Sequence, residues 1–157
     1  MKKIYYLFLK NIHIKLCKDM KESVNVKWVN GMAFEAEIMG QKIMIDAEPE
    51  HGGQGKGPKP KPLMMVSLAG CTGMDVVSLM NKMRVQYDKM EISVEGELTE
   101  EHPKKYIRMT VIFKLKGKNI DRKKVEKAIE LSKEKYCGVS ASYKKVMELG
   151  YKLEIEE

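Results

Sequence analysis

The sequence predicts an α+β fold in which antiparallel sheets wrap a central helix. Three observations point there: period-two alternation between residues 24 and 46 and again between 89 and 115, one long apolar segment from Leu63 to Met83, and helical spacing near the carboxyl end. With 157 residues the chain has the length of one domain. Residues 1–19 show no clear periodicity and are expected to be an extension, with residues 20–157 forming the single domain.

Val24, Val26 and Trp28 alternate with polar neighbours, Asn30-Gly31 follows, and Phe34, Ala36 and Ile38 resume the alternation. This is the pattern of a hairpin. A third strand over Lys42 to Asp46 extends it into a small antiparallel sheet. Glu48 to Lys61 then places four glycines and three prolines in fourteen residues, which predicts a long flexible loop. Loops of that length often carry function in compact domains.

From Leu63 to Met80 the only polar side chains are Ser67, Thr72, Asp75 and Ser78, so a helix here is expected to be buried nearly all round. A membrane span is disfavoured by Asp75 near its middle. Two strands follow, Lys89 to Leu98 and Tyr106 to Leu115. Asp121 is placed to cap a helix reaching about Tyr136, with Val125, Ala128, Ile129 and Ser132 on one face. Cys137-Gly138 interrupts, a further helix is expected from Val139 to Leu149, and a last strand from Tyr151 to Ile155. The predicted order is β-β-β-α-β-β-α-α-β.

Composition narrows the function. The net charge of +7 suggests a polyanion partner, but only Arg84, Arg108 and Arg122 among the 29 basic residues are arginines, and the lysines are interleaved with 22 acids. That is a solvated surface, and no nucleic acid or membrane partner is expected. Three cysteines are too few for a disulfide-stapled secreted fold. The apolar run Ile4 to Leu9 ends after six residues at Lys10, short of a secretory signal, so a cytoplasmic location is expected. Cys17 is read as a bystander.

Most motif chemistry is excluded in turn. Gly52-Gly53-Gln54-Gly55-Lys56-Gly57 lacks the hydroxyl residue after the lysine that a phosphate-binding loop needs. His13, His51 and His102 lie far apart, and no cysteine or histidine pair has metal-ligand spacing, so neither a metal nor another cofactor is expected. Two thiols remain. Cys71 stands in the most apolar segment, where a cysteine is usually a small hydrophobe. Cys137 stands at a helix start, where the amide dipoles favour a thiolate.

The run from Gly57-Pro58-Lys59-Pro60 through Leu63-Met64-Met65 to Leu68-Ala69-Gly70-Cys71, continuing Met74-Asp75-Val76-Val77, resembles the first cysteine motif of the OsmC/Ohr family. Glu134-Lys135-Tyr136-Cys137 with Val139-Ser140, 66 residues downstream, resembles the second. The resemblance covers about Ser23 to Ile155. It implies an OsmC-like fold and an intertwined homodimer with thiol sites near the subunit interface. It also implies peroxidase chemistry: Cys71 attacks an organic hydroperoxide, Cys137 resolves the sulfenic acid as a disulfide, and a dithiol reductant reopens it. The chain departs from the family at two points, with Pro62 where the family has a glutamate and no arginine before Arg84. The candidates to take over are Lys56, Lys59 and Lys61, with the carboxylates Glu48 and Glu50. A divergent branch is expected, either a thiol peroxidase of altered activity or a non-enzymatic protein that binds an apolar small molecule or senses oxidants.

Overall fold

The computed structural model describes residues 21–157; the expected extension, with His13 and Cys17, lies outside the described residues. Backbone packing divides the chain after Lys59 into two compact units.

The first unit is a three-stranded antiparallel sheet of β1 (Asn25–Asn30), β2 (Ala33–Ile38) and β3 (Gln41–Ile45), in that order. The first turn falls one residue later than its sequence signal. Asn30 still pairs with Ala33, so Gly31 and Met32 make the turn, and a bulge between Trp28 and Asn30 absorbs the offset. The second turn uses Met39 and Gly40, both with positive φ, as a two-residue hairpin requires.

The loop after β3 is held more firmly than its composition suggests. Asp46 is buried, and its carboxylate accepts the backbone N–H groups of Ala47, Gln54 and Lys56 at 2.8, 2.9 and 3.1 Å. Those bonds lower its pKa, the Lys56 and Gln54 amides contributing most. Pro49–His51 forms one 3-10 turn within the loop. Gly53 and Gly57 are required where they stand, since a Cβ on either would run into the carbonyl of Ala47 or Met44.

The second unit, Pro60–Glu157, contains the hydrophobic core. Helix α1 (Pro60–Lys82) starts with prolines in its first turn, where their missing N–H groups have no helical partner to lose. Strands β4 (Lys89–Leu98) and β5 (Tyr106–Lys116) pair antiparallel with Ile92 opposite Phe113 and Val94 opposite Val111. Helix α2 (Arg122–Leu131) is capped by Asp121, whose side chain accepts from the Lys124 N–H. One π-helical turn (Ser132–Tyr136), the short helix α3 (Gly138–Tyr143) and strand β6 (Glu148–Glu156) complete the chain. Fully buried Phe113, Leu68, Met80, Met109 and Leu115 are its largest core side chains.

The element order matches the sequence expectation, with three corrections. Helix α3 ends at Tyr143 and not at Leu149, because β6 begins at Glu148 to pair with Arg108 of β5. That pairing is parallel, so the second sheet is mixed, with antiparallel β4–β5 and parallel β5–β6. Helices α2 and α3 supply the crossover that a parallel connection needs. Finally, α1 is not buried all round within the chain. Leu68, Thr72, Gly73, Val76 and Met80 pack inward, whereas Val66 and Met74 are 64% and 76% exposed. By length and composition α1 is also apolar enough to cross a membrane, although 28% of its apolar window is buried inside the chain.

Candidate active site

Helical periodicity builds half of the site. Cys71 and Asp75 are four residues apart on α1, one turn above the other on the same face. The other half comes from the junction between α2 and α3. The Cys137 N–H donates to the Ser132 carbonyl at 2.9 Å, five residues back, so the helix widens by one residue before it stops. The chain then leaves the helical region at Cys137, with φ −73° and ψ 104°, and Cys137 becomes the N-cap of α3. Gly138 follows, and α3 starts under the thiol.

These two pieces meet. The Sγ atoms of Cys71 and Cys137 and a carboxylate oxygen of Asp75 all lie within 4.8 Å of one another. Both cysteines are free thiols, Cys137 buried and Cys71 partly so. Each of the three groups has a fixed donor. The Ser132 hydroxyl donates to Asp75 Oδ2 at 3.0 Å, the Ser140 N–H points at Cys137 Sγ at 3.3 Å, and the Val139 backbone N–H faces Cys71. Ser140 also shares a 2.9 Å hydrogen bond with the Tyr151 hydroxyl, and Lys133 lies 5.9 Å from the centre of the Tyr151 ring.

The electrostatics favour the neutral thiol at Cys71. Burial pushes its pKa up most, the hydrogen bond that the Cys71 thiol makes to Cys137 adds to that, and the negative charges of Cys137 and Asp75 act in the same direction. Only the Val139 amide opposes them, and no side-chain cation is among the main influences. Tyr151 is likewise pushed up, chiefly by burial, against the lowering effect of its bond to Ser140.

Both cysteines singled out from the sequence therefore face one another. Of the residues considered as substitutes for the family's activating pair, Lys59, Lys61 and Glu48 have partners of their own. Lys59 bridges Glu48 at 2.6 Å, His51 sits 3.8 Å from the same carboxylate, and Lys61 donates to the Lys104 carbonyl at 2.8 Å. Asp75, Ser132, Ser140 and Tyr151 were not predicted as site residues. For Asp75 a signal was available in its four-residue spacing from Cys71. For Ser132 and Tyr151, 61 and 80 positions from Cys71, there was none.

Comparison with known proteins bears on the family and the fold. Residues 53–152 match the family model described as OsmC-like protein. The chain is 31% identical over 132 residues to "Protein YhfA" of Escherichia coli strain K12, spanning 83% of this chain and 95% of that one. Among solved structures, a hypothetical protein from Aquifex aeolicus superposes with a TM-score of 0.76 at 29% identity, covering 87% of this chain and 96% of its own. The organic hydroperoxide resistance protein OhrB of Bacillus subtilis shares the fold at a TM-score of 0.59 and 20% identity, covering 86% and 98%.

Proposed function

The chain belongs to the OsmC-like protein family, and from that premise we propose that it is a thiol-dependent peroxidase acting on organic hydroperoxides. One observation carries the proposal: two free thiols 66 residues apart in sequence stand within 4.8 Å of each other. A disulfide between them requires the two sulfurs to close to roughly 2.05 Å.

In this reading the Cys71 thiolate attacks the outer oxygen of the hydroperoxide. The O–O bond breaks, Cys71 becomes a sulfenic acid, and the departing alkoxide takes up a proton and leaves as the alcohol. Asp75, inside the same cluster, is positioned to take the thiol proton and return it to that alkoxide. Cys137 then attacks the Cys71 sulfur, forming the disulfide and releasing the hydroxyl group as water. A dithiol reductant returns both cysteines to thiols by exchange. Trapping the sulfenic acid at once protects it from irreversible oxidation.

The test is free-thiol counting by mass spectrometry after one equivalent of cumene hydroperoxide, on the wild type, Cys71→Ser and Cys137→Ser. A Cys71–Cys137 disulfide in the wild type, with sulfenic acid accumulating at Cys71 in Cys137→Ser, is the expected result. A Cys71 that reacts no faster than free cysteine overturns it.

A second reading has its own support in the burial that holds the Cys71 thiol up. A thiol with little anion at neutral pH suits slow, stoichiometric oxidation, as in an oxidant sensor or a binder of apolar molecules. Repeated turnover with excess dithiothreitol and hydroperoxide separates the two, since a sensor stops after one equivalent.

A further inference from the structure

We propose that Cys71, Asp75 and Cys137 form a binding site for one soft divalent cation of the zinc type. This goes beyond the peroxidase reading and does not depend on it. Sequence spacing conceals the site, because its ligands come from one helical turn and from a position 62 residues after Asp75.

Geometry is the first argument. Three potential ligand atoms lie within 4.8 Å of one another. Zinc–sulfur bonds of about 2.3 Å and zinc–oxygen bonds of about 2.0–2.2 Å place tetrahedral ligands roughly 3.5–3.8 Å apart. Closing the remaining gap takes a combined side-chain adjustment of at most about 1.3 Å. The ligand chemistry is the second argument, since two thiolates and one carboxylate select a borderline-soft ion over calcium or magnesium.

The third argument is the ring of donors around the ligands. Coordinated groups in metal sites are held by outer hydrogen bonds that fix their direction. Here the Ser132 hydroxyl donates to Asp75 and the Ser140 N–H to Cys137, and the Val139 amide favours the Cys71 anion. None of these donors takes up all the lone pairs of its acceptor, so each ligand keeps a free one for the ion. The other such group, Glu48, Glu50 and His51, lies at one largely exposed turn with Glu48 already paired to Lys59, and is not proposed as a site.

Binding is written as one M2+ displacing the two thiol protons, with the carboxylate as third ligand and one position left for water or a small ligand. No electrons are transferred. Three protein ligands and an open position match the pattern of catalytic rather than purely structural zinc.

The experiment is titration of the full-length, fully reduced, metal-free protein with Cd2+ under nitrogen. The ultraviolet thiolate-to-cadmium charge-transfer band and proton release are followed together. The expected result is saturation at one Cd2+ with about two protons released, and with Cys71 and Cys137 both shielded from iodoacetamide in the same sample by mass spectrometry. Ser132→Ala is expected to weaken binding about 10-fold or more, and Asp75→Asn further. Because the shielding is read on the wild type, a variant that fails to fold does not blur the answer. Shielding of Cys17 in place of the pair, a Cd2+ affinity unchanged in Asp75→Asn, or no band above that of free cysteine overturns the site. A protein that binds Cd2+ but forms no disulfide with hydroperoxide keeps this site and loses the peroxidase reading; the reverse result does the opposite.

Discussion

At Cys71 two opposing influences meet. Burial, Cys137 and Asp75 favour the neutral thiol, and only the Val139 amide favours the anion. The thiolate therefore forms at higher pH than in an ordinary cysteine, and the reactivity of Cys71 rises with pH through that raised value. Alkylation of Cys71 by iodoacetamide, followed by mass spectrometry across a pH series, is expected to inflect above the curve of free cysteine. Asp75→Asn removes one of the negative charges, so its inflection is expected to move down toward the ordinary value, though not all the way, because burial is the larger cause. An unmoved inflection would mean that the Asp75 charge does not reach the thiol. Asp46 presents the opposite sign. Its native carboxyl is held below the usual range by the loop amides, so its stabilising effect is present above the ordinary carboxylate pKa. That contribution is lost as pH falls through the lowered native value. Asp46→Ala is expected to free the loop over residues 47–57, seen as faster tryptic cleavage after Lys56 at neutral pH, while flattening the acid-side loss of stability.

At the scale of elements, what was legible followed from periodicity. Val26, Trp28, Phe34 and Ala36 announced the first hairpin, Ile92 and Val94 the strand beside Phe113, and Val125, Ala128 and Ile129 the face that α2 buries. The carboxyl end was less legible, because Tyr143 to Leu149 has the spacing of a helix while its fate is set by a neighbour distant in sequence. Arg108 draws Glu148 into register with hydrogen bonds of 3.0 and 2.8 Å, and Gly150 fits against Thr110 where a larger residue would crowd it. The site behaved the same way. Both cysteines could be singled out, yet Ser132, which bonds Asp75, and Tyr151, which bonds Ser140, are brought in by the π turn and by the parallel strand, which no local pattern encodes. The second sheet is nevertheless held by its core rather than by the ion pair that sets its register. Phe113→Ala, at a fully buried position, is expected to cost about 3–5 kcal/mol in urea unfolding. Arg108→Ala, with its side chain 47% exposed, is expected to cost no more than about 1 kcal/mol. Equal losses would shift the weight from packing to the ion pair.

For the whole molecule, α1 poses a problem that one chain does not solve. Its sequence is apolar on every side, but only the face carrying Leu68, Val76 and Met80 is buried. Val66, Gly70 and Met74 follow one another at four-residue spacing on another face; the two larger side chains are 64% and 76% exposed, and a Cβ added at Gly70 would meet nothing. A stripe with a small residue between two large apolar ones suits close approach of a second helix, and we propose that the occupant is the same helix of a second copy. Such an interface is isologous, so each substitution acts twice. Burying Val66 and Met74 from both copies involves four side chains at about 1.5–3 kcal/mol each, of which association entropy consumes a large part. Val66→Glu with Met74→Glu replaces that gain by four carboxylates facing one another. In sedimentation equilibrium the wild type is expected at twice the chain mass and the double variant at the chain mass, with an unchanged far-ultraviolet circular dichroism spectrum to show that each chain still folds. A wild type that sediments at the chain mass even at high concentration would leave the stripe open to some other partner and refute the homodimer. A double variant that remains dimeric would place the contact on a different face.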